Sequence, residues 1–184
     1  MLEFCKWLAS TEWSIALHES QYMYSWIEST HVLTLMLFVG LAAMLDLRLM
    51  GLTMRRAPVD DVVERLLPWL TLGLIVMMTT GLLLFYAIPV RTYQNVFFRA
   101  KIVFLILAGI NVWLFHSGIY RSVANWTLDP IPPRRARVAA ALSLALWAGV
   151  VVAGRMIAYN WFDCDLQPQP AIVNWWAGCV VESD

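Results

Sequence analysis

An apolar run over residues 32–45, entered through Glu28 and His31 and left through Asp46 and Arg48, constrains this chain more than any other feature. With Ile27 before it and residues 47–50 after it, the run makes about 24 helical residues, or roughly 36 Å at 1.5 Å per residue. A helix of that length crosses a lipid bilayer. Composition agrees: hydrophobic residues make up 60% of the chain, mean hydropathy is +0.64 and Trp occurs ten times in 184 residues. Soluble domains are nearer ~45–50% apolar. Thirteen basic and thirteen acidic residues cancel, so no overall charge points to nucleic acid or to an acidic substrate.

Three more runs of the same kind follow. Residues 66–88 tolerate Pro68 in the first turn and stop at Pro89. Residues 96–120 contain Arg99, Lys101, Asn111 and His116 as their strongly polar members, and residues 138–161 form the last run. The expectation is an all-α membrane protein, a four transmembrane helix bundle over residues 27–161 with spans at 27–50, 66–88, 96–120 and 138–161. The connector over 89–95 is short, which makes the second and third spans antiparallel neighbours. Asp129-Pro130-Ile131-Pro132-Pro133 stiffens the next connector. In the fourth span Ala145, Gly149 and Ala153 recur every four residues, a spacing that lets membrane helices approach closely.

The ends differ from the spans. Residues 1–26 mix Phe4, Trp7, Trp13, Tyr22 and Trp26 with Glu3, Lys6, Glu12, His18 and Glu19, the pattern of an interfacial amphipathic segment. They lack the basic start, uninterrupted apolar core and small-residue cleavage site of a signal peptide and are expected to be retained. Residues 162–184 are too short and interrupted for a fifth span. Trp161, Trp175 and Trp176, with Pro168 and Pro170, predict an ordered extracytoplasmic tail that packs on a partner subunit or on the bundle's own mouth.

Orientation follows from where the cations lie. Arg48, Arg55, Arg56, Arg65, Arg121, Arg134, Arg135 and Arg137, eight of the thirteen, flank the first and third connectors. The positive-inside rule puts those connectors in the cytoplasm and both termini outside. Cys5, Cys164 and Cys179 then lie where oxidation is permitted. Three pairings are open and one Cys is left over. A Cys164–Cys179 bond would staple the tail across a loop of about 15 residues, a constraint of roughly 3 kcal/mol in the chain-entropy model.

Ionisable side chains inside a span are costly and therefore mark candidate sites. They sort into two layers. In the outer layer Glu28 and His31 share a helix face, as do Arg155 and Tyr159, with Lys101 and Arg99 on another span. A His beside a carboxylate, with cations on facing helices, suits haem b with its propionates at Arg155 or Lys101, or a quinone bonded to His31. A lone membrane His also serves simply as a helix-to-helix hydrogen-bond partner. His31 as haem iron ligand has His18 as its conceivable second axial partner, because His116 lies some 20 Å deeper by helical rise. In the inner layer Asp46 and His116 are placed to pair, while Arg48, Arg55 and Arg56 are expected to meet anionic lipid headgroups. No phosphate loop, nucleophile elbow or metal-spaced Cys/His pair is present, and Met36, Met44, Met77 and Met78 have no accompanying His cluster for copper.

Glu28-x-x-His31, Leu45-Asp46-Leu47-Arg48-Leu49-x-Gly51, Arg65-Leu66-Leu67-Pro68-Trp69, Thr80-Gly81-Leu82-Leu83, Phe98-Arg99-x-Lys101 and Ala108-Gly109-x-Asn111 with Phe115-His116 together resemble an uncharacterised family of bacterial multi-pass membrane proteins. The likeness runs from Ser10 to Tyr159 and implies an inner-membrane helical protein. A more distant likeness, through His31 and Lys101, is to the membrane-type protoporphyrinogen oxidases and the copper-resistance membrane proteins. The oxidase likeness implies a haem and an activity at His31 and Lys101. The chain has half the spans of the copper proteins and lacks the oxidases' wider pattern. Two functions are expected: an electron-transfer subunit of a membrane redox complex, or a non-catalytic accessory subunit docking through its lipid-facing surface and tail.

Overall fold

The computed structural model describes residues 1–159, 164 and 167–179. Among these the chain is helical and has no strand. Its helices are α1 (Leu2–Ala9), α2 (Glu12–Glu19), α3 (Gln21–Leu49), α4 (Val59–Ala87), α5 (Pro89–Tyr93), α6 (Val96–Leu114), α7 (Arg134–Ile157) and α8 (Ala171–Ala177). After α6 the backbone loosens into a π-helical turn, Phe115–Ile119, and then tightens into a 3-10 helix, Tyr120–Asn125.

Among the described residues four helical stretches are long and apolar enough to cross a membrane: α3, α4, α7 and the continuous stretch Val96–Asn125. Only 11% of the apolar window in Val96–Asn125 is buried, and 33% in α7. Apolar surface left so exposed is what a helix able to cross a membrane carries. The helices outrun the spans expected from hydropathy, α3 opening at Gln21, α4 at Val59 and α7 at Arg134. Apolar composition marks only the apolar part of each helix. The helical ladder continues through polar turns until a cap stops it.

Two compact units make up the chain. The first comprises Met1–His31, Thr79–Val103 and Gly149–Asp184. Here α1 packs against α5, the Ser14 hydroxyl of α2 donates to the Tyr86 carbonyl at 2.8 Å, and Phe85 of α4 stacks on Phe98 of α6. Asn95 starts α6, its Oδ1 accepting from the Phe97 and Phe98 N–H groups at 2.9 and 3.2 Å. Phe4, Trp7 and Trp13 remain exposed, which matches an N-terminal segment with an apolar outer surface.

The second unit comprises Val32–Met78 and Phe104–Ala148. Its core joins Leu49, Val59, Val63, Phe115, Trp126, Ala136 and Ala140. Phe38 of α3 meets Trp147 of α7 edge-on at 4.7 Å and lies 3.4 Å from where a Gly73 Cβ would be. Ala136 and Ala140 of α7 are buried in this unit; of the four-residue repeat, Ala145 is exposed here, while Gly149 is half-buried and Ala153 buried in the first unit.

Candidate functional site

His31 is 9% exposed on α3, and its Nδ1 lies 2.9 Å from Thr80 Oγ1 on α4. Gly81 makes the room: a Cβ there would fall 3.2 Å from His31 Cε1. The imidazole is wedged between α3 and α4 and paired with a hydroxyl, an interhelical bond worth ~0.6–2 kcal/mol where helices pack in a membrane. Glu28 and His18 are both exposed, and His18 belongs to a separate helix, α2.

Lys101 is half-buried on α6, its Nζ 3.6 Å from where a Cβ on Gly154 of α7 would stand. It makes no hydrogen bond or ion pair among the described residues. The neighbouring cations are engaged elsewhere. Arg155 is exposed, its guanidinium 5.2 Å from the Tyr159 ring and its Nη2 3.3 Å from that hydroxyl, both on the same stretch of chain.

Arg99 holds the tail. Its Nη1 donates to the Trp176 carbonyl near the C-terminus of α8, its Nε donates to the Tyr93 carbonyl at 3.1 Å, and its guanidinium lies 4.6 Å from the Tyr93 ring. A cation at a helix C-terminus satisfies carbonyls that have no helical partner. Gly178 follows α8 with a φ of +70°, and a Cβ there would fall 2.9 Å from Arg99 Nη2. Cys164 and Cys179 are joined by a disulfide, with Cα atoms 5.3 Å apart. Ile172 and Trp175 are 73% and 76% exposed on one face of α8, and the Trp176 ring lies 6.2 Å from that of Trp175. Trp161 lies outside the described residues. The third cysteine, Cys5, is free and buried, and burial pushes its thiol pKa up.

The second unit corrects the expected inner layer. Arg48 has no exposed surface and does not reach lipid headgroups. Its Nε donates to the Ala57 carbonyl at 2.9 Å and its Nη2 to the Thr127 and Asp129 carbonyls at 3.4 and 3.2 Å. Carbonyls left over in two connectors outcompete a headgroup because they are held in place by the fold. Asp46 is buried against Ser143 of α7. His116 is exposed in the π-helical turn with Nδ1 3.1 Å from the Val112 carbonyl, so the expected Asp46–His116 pair is not formed. Asn111 Nδ2 donates to the Ala139 carbonyl at 3.0 Å, joining α6 to α7.

Among the described residues no three His, Cys, Asp or Glu side chains gather as a metal site. Sequence reasoning singled out His31, Lys101 and Arg99 but not the roles of Thr80, Gly81, Gly154 and Ser143. Small residues facing a polar side chain carry no signal until the facing helix is known. No curated protein and no solved structure matches the chain, so neither the oxidase nor the copper-protein likeness has a matched relative behind it. One family does match over residues 17–160, and the chain belongs to it: Family of unknown function (DUF6644).

Proposed function

We propose that this is a multi-pass protein of the bacterial inner membrane, both termini outside, acting as an accessory subunit that docks on a larger membrane complex through its tail. The observation that carries the reading is α8, held by Arg99 at its C-terminus and flanked by the Cys164–Cys179 bond, with Ile172 and Trp175 exposed on one face. An aromatic face ordered in advance loses little freedom on docking, and Trp dominates the energetic centre of many interfaces. Native electrophoresis of detergent extracts tests this directly. The wild-type chain is expected well above its own mass, and Ile172→Ser with Trp175→Ser is expected to run as the single chain. Unchanged migration of the double variant would remove the tail from the interface.

A redox role is the second reading, favoured by Lys101, a cation within a spanning helix that has no acidic partner among the described residues. His31 and Lys101 would hold haem b or a quinone near the outer face, Lys101 countering negative charge. A reduced-minus-oxidised absorption spectrum and a quinone extraction of purified protein decide it. The reading expects a Soret and an α band, or a co-purifying quinone, lost in His31→Ala and weakened in Lys101→Met. Neither band nor quinone in the wild type ends it.

A further inference from the structure

In the second unit a groove of about 530 Å³ runs between α6 and α7, within the ~300–1,000 Å³ of ordinary small-molecule clefts. Leu114, Phe115 and Ile119 line one side, Val138 and Leu142 the other. Asn111, the polar side chain in that lining besides two arginines, is already engaged by the Ala139 carbonyl. The groove therefore offers carbon along its length.

Arg134 and Arg135 also line it. Both are exposed, and neither makes a side-chain hydrogen bond or ion pair among the described residues. They open α7, a helix with no acidic residue in its first turn, and Arg137 adds a third cation. Pro132 and Pro133 stand just before it and have no side-chain acceptor to offer. Cations at the positive end of a helix dipole repel it and one another, so an anion from outside would relieve both. A ligand matching the whole groove carries hydrocarbon at one end and negative charge at the other.

We propose that the groove is a binding site for an anionic phospholipid, an acyl chain lying along Leu114, Phe115 and Leu142 and the phosphate meeting Arg134 and Arg135. The membrane that surrounds these helices supplies that ligand, and juxtamembrane arginines favour anionic headgroups. Free phosphate would satisfy the arginines but leave the apolar wall uncovered.

The full chain in detergent, examined by native mass spectrometry, provides the test. Phosphatidylglycerol and phosphatidylcholine of identical acyl chains are compared, with inorganic phosphate as competitor. The expected result is one phosphatidylglycerol retained per chain, at least about tenfold over phosphatidylcholine and undisturbed by phosphate. Arg134→Gln with Arg135→Gln should weaken phosphatidylglycerol about thirtyfold, two independent arginines contributing equally. Leu142→Trp, at a position already half exposed, should fill the groove and lower retention of both lipids. Where one variant fails to fold, the other decides. Equal retention of the two lipids, retention unaltered by a folded variant, or displacement of the lipid by phosphate would each overturn the proposal.

Discussion

Arg48 shows how a single side chain can be read correctly as important and wrongly as to its task. Its position at the end of an apolar run marks a charge near a membrane surface. The carbonyls that claim it, on Ala57, Thr127 and Asp129, include two about 80 residues away, and only the folded chain brings them within reach. Removing the guanidinium leaves buried acceptors unpaired, so Arg48→Ala is expected to lower stability by about 3 kcal/mol. Arg48→Lys keeps the charge but not the planar fork, and should recover only part of that loss. Thermal unfolding in detergent measures both, and equal stability of wild type and Arg48→Ala would contradict the role given to it. His31 teaches the same lesson. Its place near the start of an apolar run was legible in the sequence, while the Thr80 hydroxyl and the space over Gly81 depend on how α3 and α4 pack.

Elements extend as far as their caps allow, and some caps come from distant chain. The first turn of α4 is closed by Thr127, whose carbonyl accepts from the Val59 N–H at 3.1 Å and whose hydroxyl accepts from the Asp60 N–H at 3.2 Å. The same hydroxyl donates to the Asp60 carboxylate. Pro58 with Asp60 and Asp61 is a local signal for a helix start, whereas the cap contributed by Thr127 from so far along the chain leaves none. α8 has the converse arrangement: a seven-residue helix, too short to persist alone, held at its end by Arg99 and Gly178. Gly178→Ala forces a left-handed backbone and a clash with Arg99, a penalty of ~1–2 kcal/mol. Amides of residues 171–177 should then exchange about tenfold faster, with those of the four spans unchanged. Unaltered exchange in α8 would mean that Arg99 does not hold it.

At the scale of the whole molecule the open prediction is orientation. Fusing a periplasm-active reporter to Asp184 and to the 55–61 connector should give activity only at Asp184, because the cations cluster on the connector side. The opposite result would reverse every assignment of outer and inner used here. Four apolar runs, read by length and hydropathy, were enough to determine that the described residues are helical with four helices able to span a membrane, because a span must be long and apolar whatever it packs against. The cysteine pair of the tail and the polar residues inside the apolar runs were legible for the same local reason. What only tertiary structure decided is which polar groups meet. His31 found Thr80, Arg48 found three backbone carbonyls and Arg99 found the end of α8. Each pairing is a compensation made between segments far apart in the chain, and desolvation drives it without leaving any periodic trace in either segment.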